Sequence, residues 1–266
     1  MPRLAVTPTA MDATTTRRPV AGAAASATRD AGLDPDADWS LPGWLYTDPD
    51  FFAVEMARVI RPSWQIVCHI SDLGRPGDYR TIDYLGESVM VVRATDGKVR
   101  AFANVCRHRA MRLVEGPAGC ARKIVCPYHA WTYDLEGRLT GVPMRGDYPA
   151  LDMGKSGLAS IACDTWNGFV FVRLDDDGGP SVAEMMAPYV DEIAPYRFPE
   201  LRTLSPVRER PRAVNWKNVG DNYSDNLHIP VAHEGLSRLF GASYAIEARD
   251  WVDKMSGTLI DRPSSD

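Results

Sequence analysis

Two short segments of the sequence each pair a cysteine with a histidine: Cys106-Arg-His108 and, after seventeen intervening residues, Cys126-Pro-Tyr-His129. Two thiolates and two imidazoles on separate loops can bind one inorganic centre. In a [2Fe–2S] cluster of this kind, thiolates hold one iron, and neutral imidazoles on the other iron raise the reduction potential. The alternative is a four-ligand zinc site. Zinc sites usually keep their cysteines as one pair and their histidines as another, so the mixed pairs favour the cluster.

These motifs resemble the Rieske domains of the aromatic-ring-hydroxylating, non-haem iron oxygenases. The family signature is C-x-H, a spacer of about this length, and C-x-x-H, and the run Cys126-Pro-Tyr-His-Ala-Trp131 is close to its usual second loop. The resemblance implies that Cys106, His108, Cys126 and His129 bind a [2Fe–2S] cluster. It also implies that electrons arrive from a separate NAD(P)H-dependent reductase, a ferredoxin or both.

A second candidate site lies further along the chain, where Asp225, His228 and His233 fall within nine residues. Asp225 and His228 are three residues apart and would share one face of a helix. His228 and His233 are five apart, which on a straight helix separates them by ~140°. Pro230 lies between them and predicts a break that would let the two imidazoles converge. Two histidines with open positions for O2 are two thirds of a facial triad for Fe(II).

This stretch is similar to the α subunits of the same oxygenases across N-W-K and D-x-x-H-x-x-x-x-H. The resemblance implies that His228 and His233 bind mononuclear Fe(II). It assigns Asp225 to a bridge between the iron site and the cluster histidine, His129, of a neighbouring subunit in a homotrimer. Asp221 and Leu227 stand where the family commonly has Glu and Tyr, and we expect these departures to alter the shape of the site more than its chemistry.

The third iron ligand of the family is a carboxylate well over a hundred residues beyond the second histidine, whereas this sequence has 33 residues after His233. We therefore expect the second domain to be incomplete. Four carboxylates are available in this segment, and nothing in the sequence marks one as the ligand: Glu234, Glu247, Asp250 and Asp253.

Two functions remain open at this point. The first is a terminal oxygenase that hydroxylates or dealkylates a small aromatic or amine substrate with O2. The second is a truncated electron-transfer protein that binds the cluster without a competent iron site. A plain Rieske ferredoxin would need neither the second histidine pair nor the residues after about 175, so the sequence argues against it.

Composition narrows the class of protein. With 45% hydrophobic and 24% charged residues the chain is typical of globular proteins. A net charge of −5 gives no electrostatic reason to expect nucleic acid or an anionic membrane as partner. No apolar run approaches the roughly 20 residues of a membrane span, and no secretion signal is visible, so we expect a cytoplasmic protein.

The remaining cysteines and one histidine fit no ligand spacing. Five cysteines in an intracellular chain are expected to be reduced, metal-bound or buried. We interpret Cys68, Cys120 and Cys163 as small buried side chains. His69 lies in a strand-like run with no partner nearby in the sequence, and we interpret it as structural.

The elements that position these sites begin with a helix capped by Asp48 and ended by Arg61-Pro62. Short, regularly spaced β-rich runs follow and predict an antiparallel sandwich or barrel. The predicted strands are Trp64–Ile70, Tyr79–Tyr84, Ser88–Arg93, Val99–Val105, Lys123–Cys126, Ala130–Tyr133, Arg138–Thr140 and Trp166–Leu174.

The fold class is therefore α+β: an all-β Rieske domain followed by the start of an α+β catalytic domain. We predict a disordered tail over 1–42, with a transit peptide as the alternative, the Rieske domain over 43–176 and the catalytic domain over 177–266. The string Ser181-Val-Ala-Glu184 indicates a capping box that opens a helix bent at Pro188. A second helix is predicted from Asn215 to Pro230.

Overall fold

The computed structural model describes residues 41–175, 178–205, 210 and 212–260. These residues fall into two compact units, one reaching to Arg58 and the other beginning at Val59. The predicted tail over 1–42 lies, except for its last two residues, outside the described residues, and so does the predicted domain boundary at 176–177. Both stay predictions.

In the first unit, the predicted capping of the helix by Asp48 is confirmed. Its Oδ1 atom accepts hydrogen bonds from the backbone N–H groups of Asp50 and Phe51, both at 2.9 Å. The α-helix spans Pro49–Glu55, and a π-helical turn, Met56–Ile60, follows it in the chain. A proline in the first turn costs no hydrogen bond, because the first N–H groups of a helix have no partner within the helix.

The second unit begins with ten strands that form two antiparallel sheets. In the larger sheet the strands lie in the order β1-β10-β9-β4-β3-β2-β5, and the smaller sheet is β6-β7-β8. The predicted all-β antiparallel architecture is therefore confirmed. The strands are β1 (Gln65–His69), β2 (Asp78–Tyr84), β3 (Glu87–Arg93), β4 (Val99–Ala103), β5 (Ala118–Cys120), β6 (Ile124–Val125), β7 (Thr132–Tyr133), β8 (Leu139–Gly141), β9 (Ser160–Trp166) and β10 (Phe169–Arg173).

Two of these strands, β5 and β9, are not among the predicted ones. The predicted strand Trp166–Leu174 is partly wrong, because Trp166 ends β9, and Asn167 and Gly168 form the turn that joins β9 to β10 as a hairpin. Gly168 in that turn has a φ of +86°, and a Cβ atom there would lie 2.5 Å from Nε2 of His69. Both the conformation and the close approach therefore require glycine.

The two faces of β3 pack into different parts of the core. Met90 and Val92 belong to a buried cluster that also contains Cys106, Cys126 and Tyr133. Val89 and Val91 point into a second cluster with Val170 and Val172 of β10. A strand covered on both faces is a rigid support, and the first of these clusters lies directly under the two Cys–His loops.

The chain then becomes mainly helical. The Ser181 capping box is confirmed, since the Ser181 N–H donates to Glu184 Oε2 at 2.8 Å and the Glu184 N–H donates to Ser181 Oγ at 3.2 Å. A 3-10 turn at Ala187–Tyr189 follows the first helix, in agreement with the predicted bend at Pro188. The helices are Val182–Met186, Val190–Ile193, Trp216–Ser224, Ile229–Ala232 and Glu234–Phe240, and the hairpin strands are β11 (Ala245–Arg249) and β12 (Val252–Ser256).

The predicted helix from Asn215 to Pro230 is wrong in its extent. The helix ends at Ser224, and Asp225 follows in extended conformation with φ −112° and ψ 129°. Pro230 lies in the first turn of a new short helix instead of interrupting an old one. Within the part of the chain that the structure describes, no helix combines the length and the apolar content of a membrane span.

Candidate cluster and iron sites

The two Cys–His loops have the same backbone design. The N–H of Cys106 donates to the carbonyl of Met111 and the N–H of Cys126 to that of Trp131, both at 2.8 Å. In each loop the residue four positions after the cysteine donates back to its carbonyl at 3.0 Å. These residues, Ala110 and Ala130, both adopt the left-handed conformation, with φ of +53° and +55°. Non-glycine residues rarely adopt it, and such strain is typical of functional loops.

The loops bring their predicted ligands together. The imidazole centroids of His108 and His129 are 4.7 Å apart. Cys106 and Cys126 are only 3% and 2% exposed and lie in the same core cluster. The histidines are half-buried, so the thiol groups lie deeper and the imidazoles face the surface.

The ring of His108 is held in place by aromatic neighbours, while its Nδ1 atom is not hydrogen-bonded within the described part of the chain. Its ring stacks on Trp131 at 4.8 Å, with an angle of 5° between the planes, and meets the edge of Tyr148 at 5.6 Å. Its Nδ1 atom is buried and makes no hydrogen bond with any described residue. Burial and the neighbouring His129 lower the pKa of His108, which favours the neutral, metal-binding form. An oriented imidazole with a buried, unsatisfied nitrogen fits a metal ligand, and two buried thiols beside it fit the cluster.

Tyr133 is a part of this site that the sequence reasoning did not assign. It is completely buried, and its hydroxyl oxygen lies 3.3 Å from Cys106 Sγ and accepts the N–H of Arg107 at 3.1 Å. Burial, together with the contact to Cys106, raises its pKa, so the phenol stays protonated and can donate to the sulfur. The only signal in the sequence was its place shortly after the second ligand loop.

The second predicted site is assembled by a break in the helix. Asp225 Oδ1 accepts the N–H of Leu227 at 2.7 Å, and Oδ2 lies 3.1 Å from Nδ1 of His228. The imidazole centroids of His228 and His233 are 5.1 Å apart, so the predicted convergence of the two rings is present. The predicted reason is wrong, because Asp225 and His228 meet across a turn and not along one helix face. Non-helical backbone at Asp225 and at His233 lies on either side of the short helix.

The available carboxylates do not complete this site. Glu247 forms an ion pair with Arg249 at 3.0 Å, and Asp253 accepts a hydrogen bond from Ser224 at 2.9 Å. Among the described residues, no three His, Cys, Asp or Glu side chains are grouped around one point as ligands of a single metal ion. The cluster loops do not need such a group, because a Rieske cluster takes two thiolates on one iron and two imidazoles on the other.

The other cysteines differ in their exposure. Cys68 is buried and Cys163 half-buried, and burial raises the pKa of each thiol to about 12. Both thiols are therefore protonated at neutral pH, as expected of structural cysteines. The prediction that Cys120 is buried is wrong, since it lies exposed on β5 at the edge of the sheet.

His69 has a structural role, as predicted. Its Nδ1 accepts the N–H of Ser71 at 3.2 Å, so Nε2 carries the proton and donates to the carbonyl of Phe198 at 3.1 Å. The side chain thereby ties β1 to the segment that follows the Rieske strands.

Two family models match consecutive parts of the chain. Residues 63–154 match the Rieske [2Fe–2S] domain, and residues 191–264 match the catalytic domain of the ring-hydroxylating α subunit. The chain therefore carries a Rieske domain, followed by sequence that belongs to the catalytic domain of ring-hydroxylating α subunits. The resemblance stated from the two motifs is thus confirmed, and the α+β fold class with it.

Curated relatives come from the same group of enzymes. The oxygenase subunit of glycine betaine monooxygenase from Chromohalobacter salexigens is 37% identical over 216 residues, which cover 80% of this chain and 47% of the relative. The oxygenase subunit of carnitine monooxygenase from Escherichia coli is 34% identical over 206 residues, covering 77% of this chain and 54% of the relative. This chain therefore spans about half the length of these relatives.

Solved structures agree with the sequence comparison. A quaternary ammonium Rieske monooxygenase in complex with an inhibitor superimposes with a TM-score of 0.77 and 29% identity, over 86% of this chain and 64% of the other. A naphthalene 1,2-dioxygenase bound to phenanthrene superimposes with a TM-score of 0.64 and 29% identity, over 72% of this chain and 44% of the other.

Proposed function

We propose that this chain belongs to the terminal oxygenase of a multicomponent system. The oxygenase hydroxylates or oxidatively dealkylates a small quaternary ammonium compound with O2. It would receive electrons from a separate NAD(P)H-dependent reductase, a ferredoxin or both. The observation that carries the proposal is the presence, in one chain, of two paired Cys–His loops and of the Asp225, His228 and His233 group. The relatives named for glycine betaine and carnitine support an amine over an aromatic hydrocarbon.

In this proposal Cys106, His108, Cys126 and His129 hold a [2Fe–2S] cluster, and His228 and His233 hold Fe(II). When bound, these groups supply one-electron storage and the activation of O2. The protein contributes the environment. The core under the loops excludes water from the two thiols, and Trp131 fixes the plane of the His108 ring.

Asp225 supports the proposed bridge to a second copy of the chain. Its carboxylate is partly exposed and already contacts His228. Beside it, Leu227 and Val231 expose 84% and 85% of their surface. The backbone hydrogen bond from Leu227 and the contact with His228 lower the pKa of Asp225, which keeps the carboxylate charged.

The cluster loops present a surface that complements this one. Arg107 and Arg109 are exposed beside the ligands, and Tyr128, whose ring lies 3.7 Å from that of His129, is 57% exposed. Cations and an aromatic ring on one surface complement a carboxylate and aliphatic side chains on the other. We infer that the cluster surface of one copy covers the Asp225 surface of the next, as a cyclic homotrimer requires.

The first test is the metal content of the purified protein. An oxygenase should contain two acid-labile sulfides and about three irons per chain, whereas a protein that only transfers electrons should contain about two irons. One zinc without acid-labile sulfide would contradict the proposal altogether.

The second test is the Asp225→Asn variant, which keeps the size of the side chain and removes its charge. We expect an unchanged cluster spectrum, while oxidation of the reduced cluster by O2 in the presence of an amine substrate slows severely. Asp191→Asn, the same change in an exposed helix, is the matched control. Equal rates in the two variants would exclude the role proposed for Asp225.

A further inference from the structure

A cavity of about 820 Å³ lies between the helical segment that follows the Rieske strands and the hairpin β11-β12. This volume is within the range of small-molecule sites, roughly 300–1,000 Å³. Most of its walls are apolar, with a few charged groups at one side. Its lining contains none of the predicted cluster ligands and neither of the two predicted iron histidines, whereas Asp253, one of the carboxylates available as a third iron ligand, lies in its wall.

Aromatic rings form a large part of the walls. Phe240 and Tyr244 approach each other with ring centroids 5.7 Å apart, and Tyr196 exposes 66% of its surface. The faces of such rings attract organic cations, and quaternary ammonium groups are recognised in this way. The fourth ring, Tyr189, already has a cation above it, because the Arg249 guanidinium lies 5.5 Å from its centroid.

The charged groups of the cavity form a series of ion pairs, and the last group of the series is Lys254. The Arg249 guanidinium is bound by Glu192 at 2.8 Å and by Glu247 at 3.0 Å. Lys254 also binds Glu192, which is its single partner among the residues that the structure describes. An ammonium group has three donors, so Lys254 can still donate to a further acceptor in the cavity.

Two contacts relate the cavity to the segment that carries the candidate iron site. Phe240 ends the helix that begins directly after His233. Asp253 in the cavity wall accepts the hydrogen bond of Ser224, the residue before Asp225. A molecule bound here therefore lies beside the end of the helix that follows His233 and next to the strand that contacts Ser224.

We propose that this cavity binds a zwitterion that carries a quaternary ammonium and a carboxylate, with the ammonium against the rings of Phe240, Tyr244 and Tyr196 and the carboxylate on Lys254. The proposal rests on the function proposed above and deepens it, because it separates betaine-like substrates from simple cations. Lys254 is the specificity-determining residue. Arg249, which is already paired with two carboxylates, holds the neighbouring charged side chains in place.

Calorimetric titration of the purified full chain tests this proposal with three probes. Glycine betaine carries both charges, choline lacks the carboxylate, and tert-butylacetate replaces the ammonium by an uncharged tert-butyl group. We expect glycine betaine to bind most tightly. Lys254→Gln should weaken it roughly tenfold or more, because a charge-assisted hydrogen bond is lost, and should leave choline unchanged. Tyr196→Leu should weaken glycine betaine and choline and spare tert-butylacetate.

Lys155→Gln, the same change at an exposed ion pair with Asp152, is the matched control and should change nothing. Absence of binding of glycine betaine at millimolar concentration would overturn the proposal, and so would an equal loss of glycine betaine and choline in Lys254→Gln. The titration does not depend on metal. If the protein lacks the metal content expected of an oxygenase but still binds glycine betaine in a Lys254-dependent way, the proposed function alone is refuted. If amine-dependent oxygen consumption occurs and is unaffected by Lys254→Gln, the assignment of the cavity alone is refuted.

Discussion

The hydrogen bond between Tyr133 and Cys106 predicts a measurable effect on the reduction potential of the cluster. The Arg107 N–H donates to the Tyr133 oxygen, and a sulfur that binds iron carries no proton, so the hydroxyl must donate to Sγ. A donor to the sulfur stabilises the reduced cluster more than the oxidised one, because reduction adds negative charge. Tyr133→Phe removes this donor and should lower the potential.

The size of the shift follows from the energy of the bond. A hydrogen bond to a charged group contributes about 1.5–3 kcal/mol, and only the part that differs between the two redox states moves the potential. A difference of about 1–2 kcal/mol corresponds to a decrease of roughly 40–85 mV for one electron. A redox titration followed by visible absorption or by the reduced-state paramagnetic signal measures it directly.

Tyr148→Phe is the matched control for this measurement. Its ring meets His108 at 5.6 Å, so the variant loses a nearby phenol hydroxyl that makes no hydrogen bond to a cysteine of the described chain. We expect the potential of this variant to stay near that of the parent. Equal potentials for Tyr133→Phe and the parent protein, or equal shifts in both variants, would refute the role assigned to the Tyr133 hydroxyl.

Two further predictions concern stability. Ser181→Ala removes the capping hydroxyl and should lower the free energy of unfolding by about 1 kcal/mol near neutral pH. Hydrogen bonds from Ser181 lower the pKa of Glu184. Their stabilisation is therefore present above the pKa of Glu184 in the unfolded chain and is lost as the pH falls through its lowered pKa in the folded protein. Denaturant titrations at several pH values should show a smaller difference in unfolding free energy between parent and variant at low pH, and a constant difference would contradict this coupling. Gly86→Ala, with φ of +80° and open space around it, should cost about 1 kcal/mol from backbone strain alone. Gly168→Ala adds a clash with His69 and should lower the free energy of unfolding by clearly more, about 3 kcal/mol. Equal losses of stability in the two glycine variants, measured by thermal unfolding, would contradict the close packing in the β9-β10 turn.

The four proposed cluster ligands could be selected as candidates from the sequence because their chemistry is encoded in local spacing. Cys106, His108, Cys126 and His129 lie within two short loops, and each loop is closed by its own backbone hydrogen bonds. The contacts that tune these ligands are not local. Tyr133 reaches Cys106 from 27 residues away, and this pairing exists only after β6, β7 and the loops have packed on one core.

The segment that carries the iron motif shows why the helix predicted from Asn215 to Pro230 ends early. Apolar spacing continues from Trp216 past Leu227, and a hydrophobic pattern alone extends the helix to Pro230. Asp225 stops it because its side chain binds the backbone N–H of Leu227 at 2.7 Å. Aspartate favours such local bonds over helix formation. The same interaction presents the second carboxylate oxygen to His228, so the feature that ends the helix also builds the site.

The depth of the ligands indicates where electrons would leave the cluster. Cys106 and Cys126 lie in the core, so the imidazoles are the ligands nearest to a partner. His108 is enclosed by the stacked ring of Trp131 and the edge of Tyr148.

The ring next to His129 differs from those next to His108, because this neighbour, Tyr128, is itself exposed. A carboxylate from a second copy would therefore approach His129 past an exposed side chain, whereas Trp131 beside His108 is buried. The assignment of His129 to the bridge, implied first by family resemblance, stays a proposal, and the exposed neighbour of its ring supports it.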